Sequence, residues 1–234
     1  MKKRIWELDA FRGICILGMI LVHFVYDLVD LYQIVDWQYP AWFQLTQRWG
    51  GVLFLLISGI SATLGSRSVR RGIVVLLAGA VITAATYCMY KYFHFTKDLI
   101  IYFGVLQCLG TCMILWWVFK RMPNWVLVLI GLAMIVAGLY LENVILVKTP
   151  WLIPLGFRFP RFASSDYFPL LPNLGFFLLG SVLGRLVYSK KQSLMSKVSE
   201  NNPIVKVLCF CGKQSLWFYL LHQPVLAGIC MLML

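Results

Sequence analysis

Residues 8–30, LDAFRGICILGMILVHFVYDLVD, decide the fold: the run is apolar enough to cross a membrane, yet it carries Asp9, Arg12, His23, Asp27 and Asp30. At about 100° of rotation per residue, Arg12 and His23 fall within roughly 20° of one another, three turns apart. Asp9, Met19, Asp27 and Asp30 lie close to the same stripe. A rise of about 1.5 Å per residue puts His23 about 16 Å deeper than Arg12, near the middle of a bilayer. Ionisable groups are costly at that depth and face a protein interior or a water-filled cavity, so the stripe marks a functional site. Asp27, four residues beyond His23, is its nearest charged partner.

The rest of the chain agrees with a membrane reading. Of its 234 residues 61% are hydrophobic and 13% charged, with a mean hydropathy of +0.80, far more apolar than a soluble domain. The net charge of +12 does not point to nucleic acid, because the basic residues sit in short links between apolar runs instead of forming a patch. Seven cysteines, an odd number lying mostly inside apolar runs, predict buried thiols and no disulfide framework. Neither Cys108 with Cys112 nor Cys209 with Cys211 has further ligands at metal-binding spacing, so no metal site is expected. Lys2-Lys3-Arg4 ahead of an apolar run is reminiscent of a signal peptide, but the length of the run and its two aspartates predict an uncleaved first helix.

Apolar segments near 13–32, 50–66, 72–92, 99–119, 124–141, 173–189 and 213–233 are each of a length that spans about 30 Å of hydrocarbon. The expected fold is therefore an all-α polytopic membrane bundle of about seven transmembrane helices, forming a single domain over residues 1–234 in the cell membrane. Fourteen of the 21 basic residues fall before the first helix or in alternate links: Lys2, Lys3, Arg4, Arg12; Arg67, Arg70, Arg71; Lys120, Arg121; and Lys190, Lys191, Lys197, Lys206, Lys213. The positive-inside rule assigns those links to the cytoplasm, with the N-terminus inside and the C-terminus outside. The opposite links hold Arg48, Lys91, Lys97, Lys148, Arg158 and Arg161 with most of the acids. The longest, roughly 142–172, is rich in proline and aromatic residues, which predicts a segment packed over the outer mouth or at the interface.

A second histidine, His222, stands ten residues into the last apolar run and reaches a similar depth to His23. Two imidazoles at one depth imply a shared polar space. Pro224 predicts a local break in the helix beside Gln223. Ser58, Gly59, Ser61 and Gln107 reach comparable depths, where small and polar residues most often pack helices together. Buried histidines with a carboxylate fit acyl transfer, in which imidazole takes a proton from an amine or hydroxyl or carries the acyl group itself. They fit ion or proton transport equally well, so the residues alone leave a membrane acyltransferase and a non-enzymatic transporter or binding protein both open.

Several blocks then carry a family resemblance. Arg4 with Leu8-Asp9-Ala10-Phe11-Arg12-Gly13, residues Phe54 to Ser61, Gly104-Val105-Leu106-Gln107, Asp166 to Pro172, and Ser215-Leu216 with Tyr219 to Pro224 resemble, in order, the heparan-alpha-glucosaminide N-acetyltransferase catalytic-domain family. The arginine-to-histidine spacing of the first helix is also similar to that of bacterial membrane O-acyltransferases. The resemblance implies an enzyme that takes acetyl from cytoplasmic acetyl-CoA and delivers it to a sugar or envelope glycan on the far side. The family's active histidine does not carry over, and it is depth and spacing that make His23, Asp27 and His222 the candidate catalytic residues. Arg12, Gln107 and Ser58 are candidates for the donor, and Asp166, Tyr167 and Gln223 for the acceptor. The oligomeric state is left open, a homodimer included. One departure stands out: the lysosomal member carries its active histidine in the link after the first helix, whereas residues 24–49 here contain none.

Overall fold

The computed structural model describes residues 5–93, 96–144, 149–160, 162–195 and 202–234. Lys2, Lys3, Arg4, His94, Lys148, Arg161 and Lys197 lie outside the described residues. The helices are α1 (Trp6–Tyr26), α2 (Ala41–Leu64), α3 (Ser68–Phe93), α4 (Val105–Phe119), α5 (Asn124–Val144), α6 (Leu170–Val187), α7 (Pro203–Lys213) and α8 (Ser215–Met233). A π-helical turn, Asp27–Leu31, continues α1, and short 3-10 turns lie at Lys97–Leu99 and Pro150–Leu155. The all-α membrane bundle expected from composition is what is observed. Five helical stretches are long and apolar enough to cross a membrane: Trp6–Leu31, Ser68–Phe93, Asn124–Leu141, Leu170–Val187 and Ser215–Met233. Their outward faces are as apolar as their inward ones, as with exposed Leu77 and Val81 on α3, which suits lipid and not water. The chain is a multi-pass membrane protein.

Three boundaries differ from those expected. Residues 100–104 are not helical; they run extended into α4, and Phe103 forms a parallel bridge with Tyr167. The run 213–233 is preceded by a separate helix, α7, from which Gln214 (φ −99°, ψ 15°) divides it. The break predicted at Pro224 is absent, for α8 runs helically through it. Apolar content and length do not resolve such joints, which depend on backbone angles at single residues.

The chain forms two compact units, residues 1–57 with 190–234 and residues 58–189. In the first, α1 and α7 meet at glycines. A Cβ on Gly13 would collide with the Leu208 carbonyl, and one on Gly212 with the Asp9 carbonyl. Small residues at such points let two backbones approach closely. Glu7, only 1% exposed, is held at the same end by Ser193 Oγ and the Leu194 N–H, both donating at 2.8 Å.

In the second unit α3 packs on α4 and α5 on α6, again through glycines such as Gly72 against Gly110 and Gly131 against Gly175. The long link before α6 folds onto the start of α4. Ser164 and Ser165 donate to the carbonyls of Ile100 and Asp98. Phe159, Phe162 and Tyr167 form an edge-to-face cluster with one another or with Tyr102.

Candidate functional site

The two histidines meet in the first unit. Their ring centroids are 5.0 Å apart at 82° to one another, His23 on α1 and His222 on α8. Each Nδ1 lies against a main-chain carbonyl of its own helix, His23 at 2.9 Å from Met19 O and His222 at 2.6 Å from Tyr219 O. A carbonyl only accepts, so each Nδ1 carries the hydrogen, and in a neutral imidazole Nε2 is then the lone-pair nitrogen. This is the tautomer a base requires. His222 Nε2 is buried and has no hydrogen-bond partner among the described residues.

One turn below His23 the carboxylate of Asp27, wholly buried, accepts from Gln223 Nε2 at 3.0 Å through both oxygens. Asp27 therefore binds the residue next to His222, while the hydrogen-bond partner of His23 Nδ1 is the Met19 carbonyl. The carboxylate ties the π-helical turn to α8, and a π turn is a device found often at functional sites. Gln223 spends its donor on Asp27 and leaves Oε1 buried without a partner among the described residues. Two acceptors, His222 Nε2 and Gln223 Oε1, are thus unfilled in a buried setting where unsatisfied polar atoms are costly.

Arg12 is three turns from His23 along α1, as the spacing predicts. Its Nη1 lies 3.3 Å from Asp9 Oδ1, and its side chain is 17% exposed, so it forms an i,i+3 salt bridge on α1. Glu7 was missed by sequence reasoning. It stands in the first turn of α1, just ahead of the apolar run and among other charged residues, so the rule that singled out Asp27, a carboxylate inside an apolar run, does not reach it.

The remaining candidates lie in the second unit. Gln107 accepts from the Gly104 N–H at 3.0 Å and donates to Gly79 O and Thr83 Oγ1 at 2.9 and 2.7 Å. It caps α4 and joins it to α3, with both amide hydrogens engaged. Ser58 is buried. Asp166 Oδ2 accepts from the Val105 N–H at 3.0 Å, so its carboxylate caps the start of α4, where unpaired helix N–H groups favour an anion. Tyr167 donates to Ile153 O at 2.8 Å, and the Arg158 guanidinium lies over its ring at 5.3 Å.

Comparison with protein families matches residues 4–224 to the model described as "Heparan-alpha-glucosaminide N-acetyltransferase, catalytic". Comparison with curated proteins and with solved structures found no match.

Proposed function

The chain belongs to the heparan-alpha-glucosaminide N-acetyltransferase catalytic family, and from that premise we propose that His23 and His222 form the acid–base centre of its acetyl transfer. Membership makes the protein an N-acetyltransferase-type membrane enzyme acting on an extracytoplasmic acceptor, in preference to a transporter. Acetyl-CoA is its donor in our reading, and a sugar amine or hydroxyl of the cell envelope its acceptor. The observation that carries the site is the pair of unfilled buried acceptors, His222 Nε2 and Gln223 Oε1. An amine or hydroxyl supplies the hydrogens that both lack.

The reaction balances with these groups alone. As the acceptor nitrogen or oxygen bonds to the thioester carbonyl carbon, an imidazole Nε2 takes its proton, and the C–S bond breaks to release CoA, whose sulfur receives a proton from the same pair. His23 is the primary base or acyl carrier and His222 its partner. Asp27 acts as a positioning residue by fixing Gln223 and with it the α8 register. Arg12, paired with Asp9, supports the donor side from the start of α1 by its positive charge. Ser58 and Gln107 support the donor side by packing and bracing their helices. Asp166 and Tyr167 shape the acceptor side by ordering the link before α6.

Several broader features belong to the same reading. The N-terminus is cytoplasmic and the C-terminus outside, as the charge distribution of the links supports. Seven crossings is our reading, the five stretches named above with α2 and α4 added, while α7, with 11 residues, is about 16 Å long and is left out. Residues 1–234 work as one catalytic domain, since the family match runs through both compact units.

The test is acetyl transfer from labelled acetyl-CoA to glucosamine or an envelope extract by the purified protein. His23→Ala is expected to lose about 10²- to 10⁴-fold in rate with acetyl-CoA binding retained. Undiminished turnover in that variant would remove His23 from the centre.

A further inference from the structure

The second unit holds a cavity lined by none of the residues of the histidine centre. It has a volume of about 630 Å³ and lies between the α2–α3 turn and the C-terminal end of α4, within the size range of small-molecule sites. Arg67, Arg70 and Lys120 line it together with Trp116 and Trp117, and no acidic residue does. The side chains of Arg67 and Arg70 are exposed and form no ion pair among the described residues. Lys120 Nζ stands 6.0 Å over the Trp117 ring, itself 56% exposed, so one aromatic face is offered beside the cations.

The walls are fixed before any ligand arrives. Ser68, at the start of α3, donates to Met113 O on α4 at 2.8 Å. Arg185 donates to the carbonyls of Lys120 and Met122, both at 2.7 Å, and lies 5.2 Å over the Trp116 ring. The guanidinium thus satisfies the C-cap carbonyl of α4 and one in the link beyond it and braces the Trp116 ring and the Lys120 backbone. Scattered cations in a membrane link need only meet lipid headgroups. A braced concavity with unpaired arginines and an available indole face suits a ligand that carries phosphates on a planar aromatic group.

We propose that this cavity binds the nucleotide end of CoA, with Arg67 and Arg70 on its phosphates and Trp117 against the adenine. The inference rests on the acetyl-CoA reading and adds the place where the donor is recognised. Stacking on an aromatic side chain and paired guanidinium contacts to phosphate are mutually reinforcing here, because neither alone discriminates a nucleotide from a free anion.

The full-length protein in phosphatidylcholine nanodiscs is titrated with CoA and, separately, with pantetheine, which lacks the nucleotide. Arg67→Gln/Arg70→Gln is expected to weaken CoA binding about 10- to 100-fold, as loss of charge-assisted bonds does, and to leave pantetheine binding unchanged. Trp117→Ala should act in the same direction, and Arg67→Lys/Arg70→Lys should recover part of the loss. Wild type that binds CoA as tightly as the double glutamine variant overturns the cavity assignment and leaves the acetyltransferase reading standing. No CoA binding by wild type overturns both. If the same variant keeps its CoA affinity but loses binding to phosphatidylglycerol, the cavity is a lipid-headgroup site and the inference fails.

Discussion

Gln223→Leu tests the joint that holds the histidine pair. The change keeps side-chain bulk and removes the donor that Gln223 Nε2 gives to both oxygens of Asp27 at 3.0 Å. A hydrogen bond to a charged group is worth about 1.5–3 kcal/mol, and a fully buried carboxylate left without it costs about 3–5 kcal/mol if it stays dry and ionised. For a chain of 234 residues, about 2–4 °C of melting temperature per kcal/mol turns the lower range into a fall of roughly 3–12 °C. Thermal unfolding of the purified protein in detergent reads this directly. The companion variant Asp27→Leu/Gln223→Leu removes both partners, and its cost should be much smaller, because no polar group is then stranded. Acetyl transfer should fall in both, since each loses the tie that sets His222. An unchanged melting temperature in Gln223→Leu, or a double variant that is simply the sum of its parts, would refute the reasoning.

Gly212→Ala should lower stability by about 1–3 kcal/mol through overpacking, because its Cβ would strike the Asp9 carbonyl. Gly18→Ala is the control: nothing lies within 4 Å of its Cβ, so melting should hold or rise by the helix propensity of alanine. Asp166→Ala should cost about 0.5–2 kcal/mol by uncapping α4, and Asp166→Asn should recover most of it; equal losses in the two would argue against a cap. Tyr39 donates to Asp30 Oδ2 at 2.6 Å, and burial with that bond raises its pKa. Its contribution is present below the ordinary tyrosine value near 10 and is lost as pH rises through the folded value, so wild type should lose more stability above pH ~10 than Tyr39→Phe; matched pH profiles would contradict this.

What could be read from the residues was what depends on regular geometry. The rise of an α-helix places His23 and His222 at similar depths whatever surrounds them, and the two rings do meet. The pairing of Asp27 with Gln223 was not legible, because it depends on how α8 lies against the π-helical turn. Gln107 and Asp166 carry the same lesson: both are polar residues in family-like blocks, and each accepts a backbone N–H at the start of α4. Their partners are 3 and 61 residues away in sequence, and only the first lies within reach of a local rule. Arg185 stands in the last turn of α6, and its position in the sequence marks it only as a charge near a helix end. Its three bonds across to residues 120–124 come from the packing of α6, which no spacing reveals.

The buried polar atoms of the first unit separate by chemical sense. Glu7 and Asp27 are acceptors, and each is met by a donor from a distant stretch of chain. Both imidazole N–H groups are donors, and each is met by a carbonyl one turn back. What is left over at the centre, His222 Nε2 and Gln223 Oε1, is of one kind: acceptors with no hydrogen-bond donor among the described residues. A structural pair would be expected to satisfy itself, one group donating to the other, because a half-satisfied buried network is less stable than an apolar one. A site built for a substrate that brings N–H or O–H groups should instead hold back acceptors. In the proposed reading, an amine or alcohol is the substrate class whose hydrogens match the polarity of these leftover atoms.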